Sequence, residues 1–438
     1  MQTASKKVVN GWAMYDWANS TYSLVITSTI FPAYYTVVAP EHITIFGRSF
    51  DRTPLASYAI ALSFLIIAIL SPVLSSIADY KGNKKAFMQF FCYLGSAACA
   101  GMFFFTKENI LFGLFLSIVA SIGYCGSIVF YNAYLPEIAA EEDQDKISAK
   151  GFALGYLGSV LLMILCLALI FLTKDSEFGK AFWPHKIAFI SVGIWWAGFG
   201  QITFNRLPPS KPSDQRPEHN LLTNGFYELK KVWQQLQHQP MLKRYLRSFF
   251  FYNMGVQTVM YMATYYAADE IKMQALQLIL TILIIQVVAI GGAYLFSLVS
   301  KATNNIFSLA VLVICWVGIC IAAYFTKTAF EFYFLAFAVG MVMGGIQSIS
   351  RSTYSKLLPE THDTASYFSF YDVCDKIGTV IGTLSFGFVA EAFGGMRNSV
   401  LALMTYFIIG FILLMFVRTK KDNKDSVKQT SAGTVTVA

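Results

Sequence analysis

The sequence predicts an all-α integral membrane protein, with twelve transmembrane helices arranged as two pseudo-symmetric halves of six. Three observations predict it. Of the 438 residues, 56% are hydrophobic and only 13% charged, where a soluble chain carries roughly a quarter charged. Apolar segments of about 20 residues, the length that crosses a bilayer, recur along the chain. Motifs of the first half return in the second.

The apolar segments fall near 10–38, 57–79, 86–106, 110–136, 148–173, 185–205, 245–267, 274–300, 305–326, 329–358, 366–390 and 397–417. Each closes its own backbone hydrogen bonds as a helix, which lipid requires. Span 1, "NGWAMYDWANSTYSLVITSTIFPAYY", carries Asp16, a group that hydrocarbon penalises by several kcal/mol. Asp16, Asn19, Ser20, Ser23 and Thr27 share one helical face, so Asp16 is expected to face water and solute. It lies nine residues beyond Lys7, ~13 Å along a helix that rises ~1.5 Å per residue.

Span 2 ends in "SSIADYKGNKK", where Asp79, Gly82, Lys84 and Lys85 stand together. The expected role is a breakable charge contact that locks one side shut, with Gly82 allowing a tight turn. Span 4 offers Tyr124, Ser127, Tyr131 and Tyr134 on one face, with Asn132 beside them, and ends in "YNAYLPE" (131–137). The loop after it, "PEIAAEEDQDKISAK", is acidic and reads as a solvated charge run rather than a metal site. Spans 5 and 11 each carry a GxxxG pair, Gly151/Gly155 and Gly378/Gly382, which admits close helix approach.

A hydrophilic segment, 207–244, divides the chain into halves at 1–206 and 245–419. Its "PPSKPSDQRPEHN" has linker composition. The following Leu222, Phe226, Leu229, Trp233 and Leu236 predict an amphipathic helix on the membrane surface. Span 7 repeats the polar face of span 1 with Asn253, Gln257, Tyr261 and Thr264. The loop after span 8, "FSLVSKATNN", corresponds to the Asp79 loop but lacks its Asp and Gly. Span 10 gives Gln347, Ser350, Arg351 and Tyr354 and ends in "YSKLLPE" (354–360), where Tyr, Leu, Pro and Glu match span 4. Span 11 carries Asp372, Asp375 and Lys376, which fall within two turns and could satisfy one another. The tail, 420–438, is polar and expected to be disordered.

Lys and Arg concentrate in the loops on the side of the linker, so both termini are expected to be cytoplasmic. The net charge of +8 therefore reads as a topology signal, and nucleic acid is not an expected partner. Seven cysteines lie in apolar runs without a CxxC pair, and the five histidines lack ligand spacing, so neither metal nor cofactor is expected. A full-length span follows "MQTASKK" with no small-residue cleavage site, so no cleavable signal peptide is expected. No GxxxxGK[ST] phosphate loop is present to suggest a primary pump. Two parallel six-helix halves with polar groups near the midplane are the plan of secondary transporters of the major facilitator type.

The stretches "GWAMYDWANSTYSLVITSTIFPAYY", "FYNAYLPEIA", "SAKGFALGYLGSVLL", "FFFYNMGVQTV" and "IQSISRSTYSKLLP" resemble the unknown major facilitator family. These are bacterial relatives of the autophagy-linked vacuolar effluxers, whose fungal members export amino acids from the vacuole. The resemblance spans almost the whole chain and places Asp16, Asn19, Tyr131, Asn132, Gln257, Gln347 and Arg351 at its motif positions. The span 2 loop resembles the facilitator loop pattern, with Ser75 and Tyr80 replacing one Gly and one Arg. In the family pattern an acid often follows the span 7 Asn. Met254 stands there instead, so no proton role carries over to that position.

The expected function is secondary transport, by symport or antiport, of a small polar solute across a bacterial inner membrane, as a monomer. The solute would be amino-acid-like or carboxylate-bearing, its movement efflux, with a proton carried at Asp16. Asn19, Tyr131, Asn132, Asn253, Gln257, Gln347 and Arg351 would bind it. The Arg351 fork matches a carboxylate, and Asp16 opposite it would suit an ammonium group. A permanent Arg351 pair with Asp372 or Asp375 is the structural alternative. A non-transporting sensor on the same fold, or a membrane enzyme, are the alternative functions.

Overall fold

The computed structural model describes residues 2–45, 47–210, 221–393 and 395–417. The Pro-rich part of the linker (211–220) and the tail from 420 lie outside the described residues. Ten helices among the described residues are long and apolar enough to cross a membrane. They are spans 2 (Arg52–Lys81), 3 (Lys84–Gly101), 4 (Ile110–Ala133), 5 (Gln144–Thr173), 6 (Trp183–Arg206), 8 (Ala275–Ala302), 9 (Asn305–Phe325), 10 (Ala329–Leu357), 11 (Thr364–Phe393) and 12 (Met396–Leu414). Spans 1 and 7 complete the set of twelve, and they differ for physical reasons.

Span 7 (Pro240–Asp269) is one helix of 30 residues whose apolar content is diluted by its polar face. Span 1 runs as Lys6–Thr21, then a π-helix Tyr22–Ile30, then Phe31–Val38. Pro32 lacks an N–H, and its ring crowds the carbonyl of the preceding turn, so the α register cannot run through it. The wider π turns lie just before it. The period that placed Ser23 and Thr27 below Asp16 therefore ends at Thr21. Beyond that point Ser28 Oγ donates to the Ser23 carbonyl at 2.9 Å.

Within each group of six the packing repeats. Span 1 lies against spans 5 and 6, and span 7 against spans 11 and 12. Span 4 lies against spans 2 and 3, and span 10 against spans 8 and 9. The groups meet where span 5 packs on spans 8 and 10, and where span 11 packs on spans 2 and 4. A short antiparallel hairpin, His42–Ile45 with Arg48–Asp51, joins spans 1 and 2 and marks one end of the bundle. The linker marks the other.

The linker helix, Leu221–Gln237, packs on spans 2 and 11. Val232 and Leu236 are buried there, and Gln235 accepts a hydrogen bond from Tyr367 at 2.8 Å, while Trp233 stays exposed. The apolar stripe expected to face lipid thus turns Leu236 onto the protein. The side chains of Leu222, Phe226 and Leu229 lie outside the described residues. All seven cysteines are free thiols, and only Cys315 and Cys374 are not fully buried.

Candidate functional site

Three polar layers stack from the linker end toward the middle of the bundle. The first is built around Asp79. Gly82 ends span 2 in the left-handed conformation (φ 65°), where a side chain would be strained, and turns the chain into span 3. This leaves Asp79 pointing at the start of span 11. Its carboxylate accepts from the backbone N–H groups of Ala365 (3.1 Å) and Ser366 (2.8 Å) and from Ser366 Oγ (2.8 Å). A helix start carries unpaired N–H groups and partial positive charge, so a carboxylate is the matching cap. Here the cap arrives from the other group of six.

Lys84 sits beside it, 1% exposed, with Nζ 3.1 Å from Asp79. It also donates to Glu137, to Thr364 Oγ1 and to the His362 carbonyl. Asp79 and Lys84, expected with Gly82 as a gate, thus meet the start of span 11 and Glu137 just beyond span 4, and Gly82 makes the turn between them.

A matching contact lies across the pseudo-symmetry. Asp145, in the first turn of span 5, accepts from Lys356 Nζ (2.7 Å), Ser300 Oγ (2.9 Å) and Asn305 Nδ2 (2.7 Å). The acidic loop was expected to be solvated, but Asp145 is buried. Asp143 also has a partner, since it accepts from Thr3. Nothing in the loop's composition separates Asp145 from Glu142. The signal was its place on the helix face shared with Ser148.

The second layer joins Asp16 to Arg351. Arg351 Nη1 is 3.1 Å from Asp16 Oδ2, and both side chains are buried. Tyr131 donates to the same Asp16 oxygen at 2.7 Å. Arg351 further donates through Nε to Ser148 Oγ (2.9 Å), through Nη2 to the Ser148 carbonyl (2.8 Å), and through Nη1 to Asn132 (3.4 Å). The rings of Trp12, Tyr131 and Phe152 enclose the guanidinium, the closest 4.1 Å away. Gly151 makes room for the pair. A Cβ there would overlap Asp16 Oδ2 and lie 2.9 Å from both Arg351 Nη2 and the Tyr131 hydroxyl.

Arg351 is therefore enclosed rather than open, and its partner is Asp16, not Asp372 or Asp375. Tyr354, expected on the same open face, is fully buried and donates to the Tyr367 carbonyl. Ser350 bonds to Tyr252, and its carbonyl accepts from Tyr245.

The third layer gathers span 7 and span 11. Asp375 Oδ1 accepts from Asn253 Nδ2 (2.6 Å) and Gln257 Nε2 (2.8 Å), while Oδ2 meets Lys376 Nζ at 2.8 Å. Lys376 is also 3.6 Å from Asp372 Oδ1 and lies over the Phe64 ring of span 2. Between the second and third layers, Gln347 accepts from Tyr156 of span 5. Asn19 is buried with its Nδ2 unpaired. Among the described residues no group of His, Cys, Asp and Glu is arranged to hold a metal ion.

The arrangement can close one end of a solute path with two ionic contacts and a buried bolt, leaving polar side chains above it. Comparison with known proteins bears on what such a path carries. A family model described as "Vacuole effluxer Atg22 like" matches residues 4–427. A Bacillus subtilis (strain 168) protein described as an uncharacterized MFS-type transporter, YxiO, is 32% identical and aligns over 97% of each chain. Autophagy-related protein 22 of Yarrowia lipolytica (strain CLIB 122 / E 150) is 24% identical, over 88% of this chain and 79% of its own.

Among solved structures, the transporter FucP in its outward conformation superposes with a TM-score of 0.69 at 16% identity, over 94% of this chain and 99% of that one. The proton:xylose symporter XylE gives 0.70 at 13% identity, over 94% and 95%. These two likenesses show the fold.

Proposed function

Because this chain belongs to the family described as Vacuole effluxer Atg22 like, a membrane transporter of the major facilitator type, we propose that it moves a small polar, amino-acid-like solute by proton-coupled alternating access. The observation that carries this reading is the Asp16–Arg351 pair, a buried ionic bolt between span 1 and span 10. Removing one partner of such a pair costs about 3–5 kcal/mol, because the other charge is left buried and alone. A proton on Asp16 does so without mutation. It neutralises one side of the bolt and frees Arg351, whose planar fork then accepts the carboxylate of a solute. A proton on Asp16 and a solute carboxylate on Arg351 thus bind together, coupled through the one ion pair that they replace.

In this reading the linker end faces the cytoplasm of a bacterial cell and the two groups of six rock as units. The Asp79 and Asp145 contacts fasten the cytoplasmic side while the solute site is open to the other. Asn253, Gln257 and Gln347 contact the polar remainder of the solute. Asn19, whose Nδ2 lacks a partner, completes its hydrogen bonds there.

The test is flux in proteoliposomes of purified protein, across amino acids, organic acids and sugars, under an imposed pH gradient. Concentrative movement of an amino acid that collapses with the gradient supports the reading. Flux of sugars alone, or none of any solute, overturns it. A cysteine at exposed Lys230 should react with an impermeant reagent only after the membrane is opened, and labelling in intact cells would reverse the orientation.

A further inference from the structure

Span 11 carries a charge excess that the bolt does not use. Asp372 and Asp375 face a single ammonium, that of Lys376. Asp375 is fully served, since Asn253 and Gln257 hold one oxygen and Lys376 the other. Asp372 is not. Its Oδ1 is a distant 3.6 Å from Lys376, its Oδ2 is buried with no hydrogen-bond partner, and the side chain is 9% exposed. A carboxylate in that state is expensive, because burial removes its water and nothing replaces it. The Asp16–Arg351 pair is balanced and supplies no spare cation.

The surroundings suit a cation. Phe64 of span 2 already lies beneath an ammonium, that of Lys376, at 5.3 Å, and Tyr261 of span 7 packs edge-on to Phe64 at 6.3 Å. An aromatic face attracts a positive charge, the more so when it is desolvated. The neighbours are reachable, with 13% and 15% of the Asp375 and Lys376 side chains open. Lys376 and the amides of Asn253 and Gln257 are committed to Asp375, so the free valence of this layer is an acceptor and not a donor.

We propose that Asp372 Oδ2 is the docking point for the ammonium group of the transported solute, which defines the solute class as primary or secondary amines. The assignment rests on the transporter reading above. It differs from the sequence expectation, which set Asp16 opposite Arg351 for that ammonium group. An amine without a carboxylate would still bind at Asp372.

The experiment measures equilibrium binding to the purified full chain in lipid nanodiscs. The probes are the common amino acids, each with its methyl ester, which keeps the ammonium, and its N-acetyl derivative, which lacks it. For every amino acid that binds, the ester should bind detectably and N-acetylation should weaken binding at least tenfold. In Asp372→Asn the free and acetylated forms should bind equally weakly, and Asp372→Glu should restore part of the preference. Misfolding alone would lower all three forms together and would not erase their ratio.

Acetylated probes binding as well as free amines in the wild type would overturn the proposal. So would Asp372→Asn keeping the preference while losing only pH-driven flux, which would make Asp372 a proton carrier. If no amine binds but another solute is carried, the ammonium site and the amino-acid assignment fall, and transport itself stands. If no solute is carried, transport falls with them.

Discussion

Replacing Asp79 by Asn tests the gate with a change of one atom. In the structure its two oxygens accept three hydrogen bonds from the start of span 11 and lie beside Lys84. Asn keeps one acceptor oxygen but turns an NH2 toward backbone N–H donors, and it removes the charge that complements the helix start. A hydrogen bond to a charged group contributes about 1.5–3 kcal/mol, and a partly buried charge at a helix terminus up to ~2 kcal/mol. Lys84 retains Glu137, so no buried cation is stranded. With one acceptor kept, the contact should weaken by about 2 kcal/mol, a roughly 30-fold shift toward the separated state.

Hydrogen exchange read by mass spectrometry reports this directly. The amides of Ala365 and Ser366 are the ones that Asp79 covers, so the peptide across them should exchange roughly 30-fold faster in the variant. Expression should be unchanged and solute flux slower. If exchange at 365–366 is the same in both proteins, Asp79 does not hold span 11 and the gate reasoning fails.

Asp16→Asn should abolish uphill, pH-driven transport while downhill exchange continues, and normal concentrative flux in the variant would remove Asp16 from coupling. Arg351→Lys keeps a charge for Asp16 but loses the fork that also holds Ser148 and Asn132. Affinity for carboxylate-bearing solutes should fall at least tenfold, ~1.4 kcal/mol, whereas affinities unchanged across the panel would mean that Arg351 never meets the solute. Gly151→Ala places a methyl against the bolt, and overpacking of this kind costs about 1–3 kcal/mol. The variant should melt lower and transport poorly, and a melting temperature and flux equal to the wild type would show that the pair has room to spare.

Much of this was legible in the sequence because hydrocarbon is an unforgiving solvent. The apolar runs, the repeated "YNAYLPE" and "YSKLLPE", and the polar faces of spans 1 and 7 each follow from the demand that polar groups avoid lipid. Asp79 and Gly82 were readable as a turn with a charge beside it. Their receptor was not, because the start of span 11 is an anonymous stretch of Thr, Ala and Ser that attracts a carboxylate through its backbone alone. Arg351 was recognised as a buried cation with a partner to find, but Asp16 lies on the first span and Asp372 much nearer in sequence. Only the packed bundle chooses between them. The π-helix was missed although Pro32 stood in plain sight, since the apolar run continues through it to residue 38 and hydrophobicity alone does not register a change of helical period. Asp145 was hidden among like charges, and burial is the property that composition does not reveal.

The central claim is that the linker end of the bundle opens and closes around the Asp16–Arg351 bolt. Spin labels at Glu142 and Lys301, exposed positions on spans or loops of opposite groups, report it through their distance distribution in nanodiscs, with Cys315 and Cys374 replaced by Ser. The account predicts a single short distance for the wild type without solute at neutral pH. A second, longer population should grow when acid and an amino acid are supplied together, and should dominate without either in Arg351→Ala. One short distance under all of these conditions, in a protein that still carries solute, would contradict it.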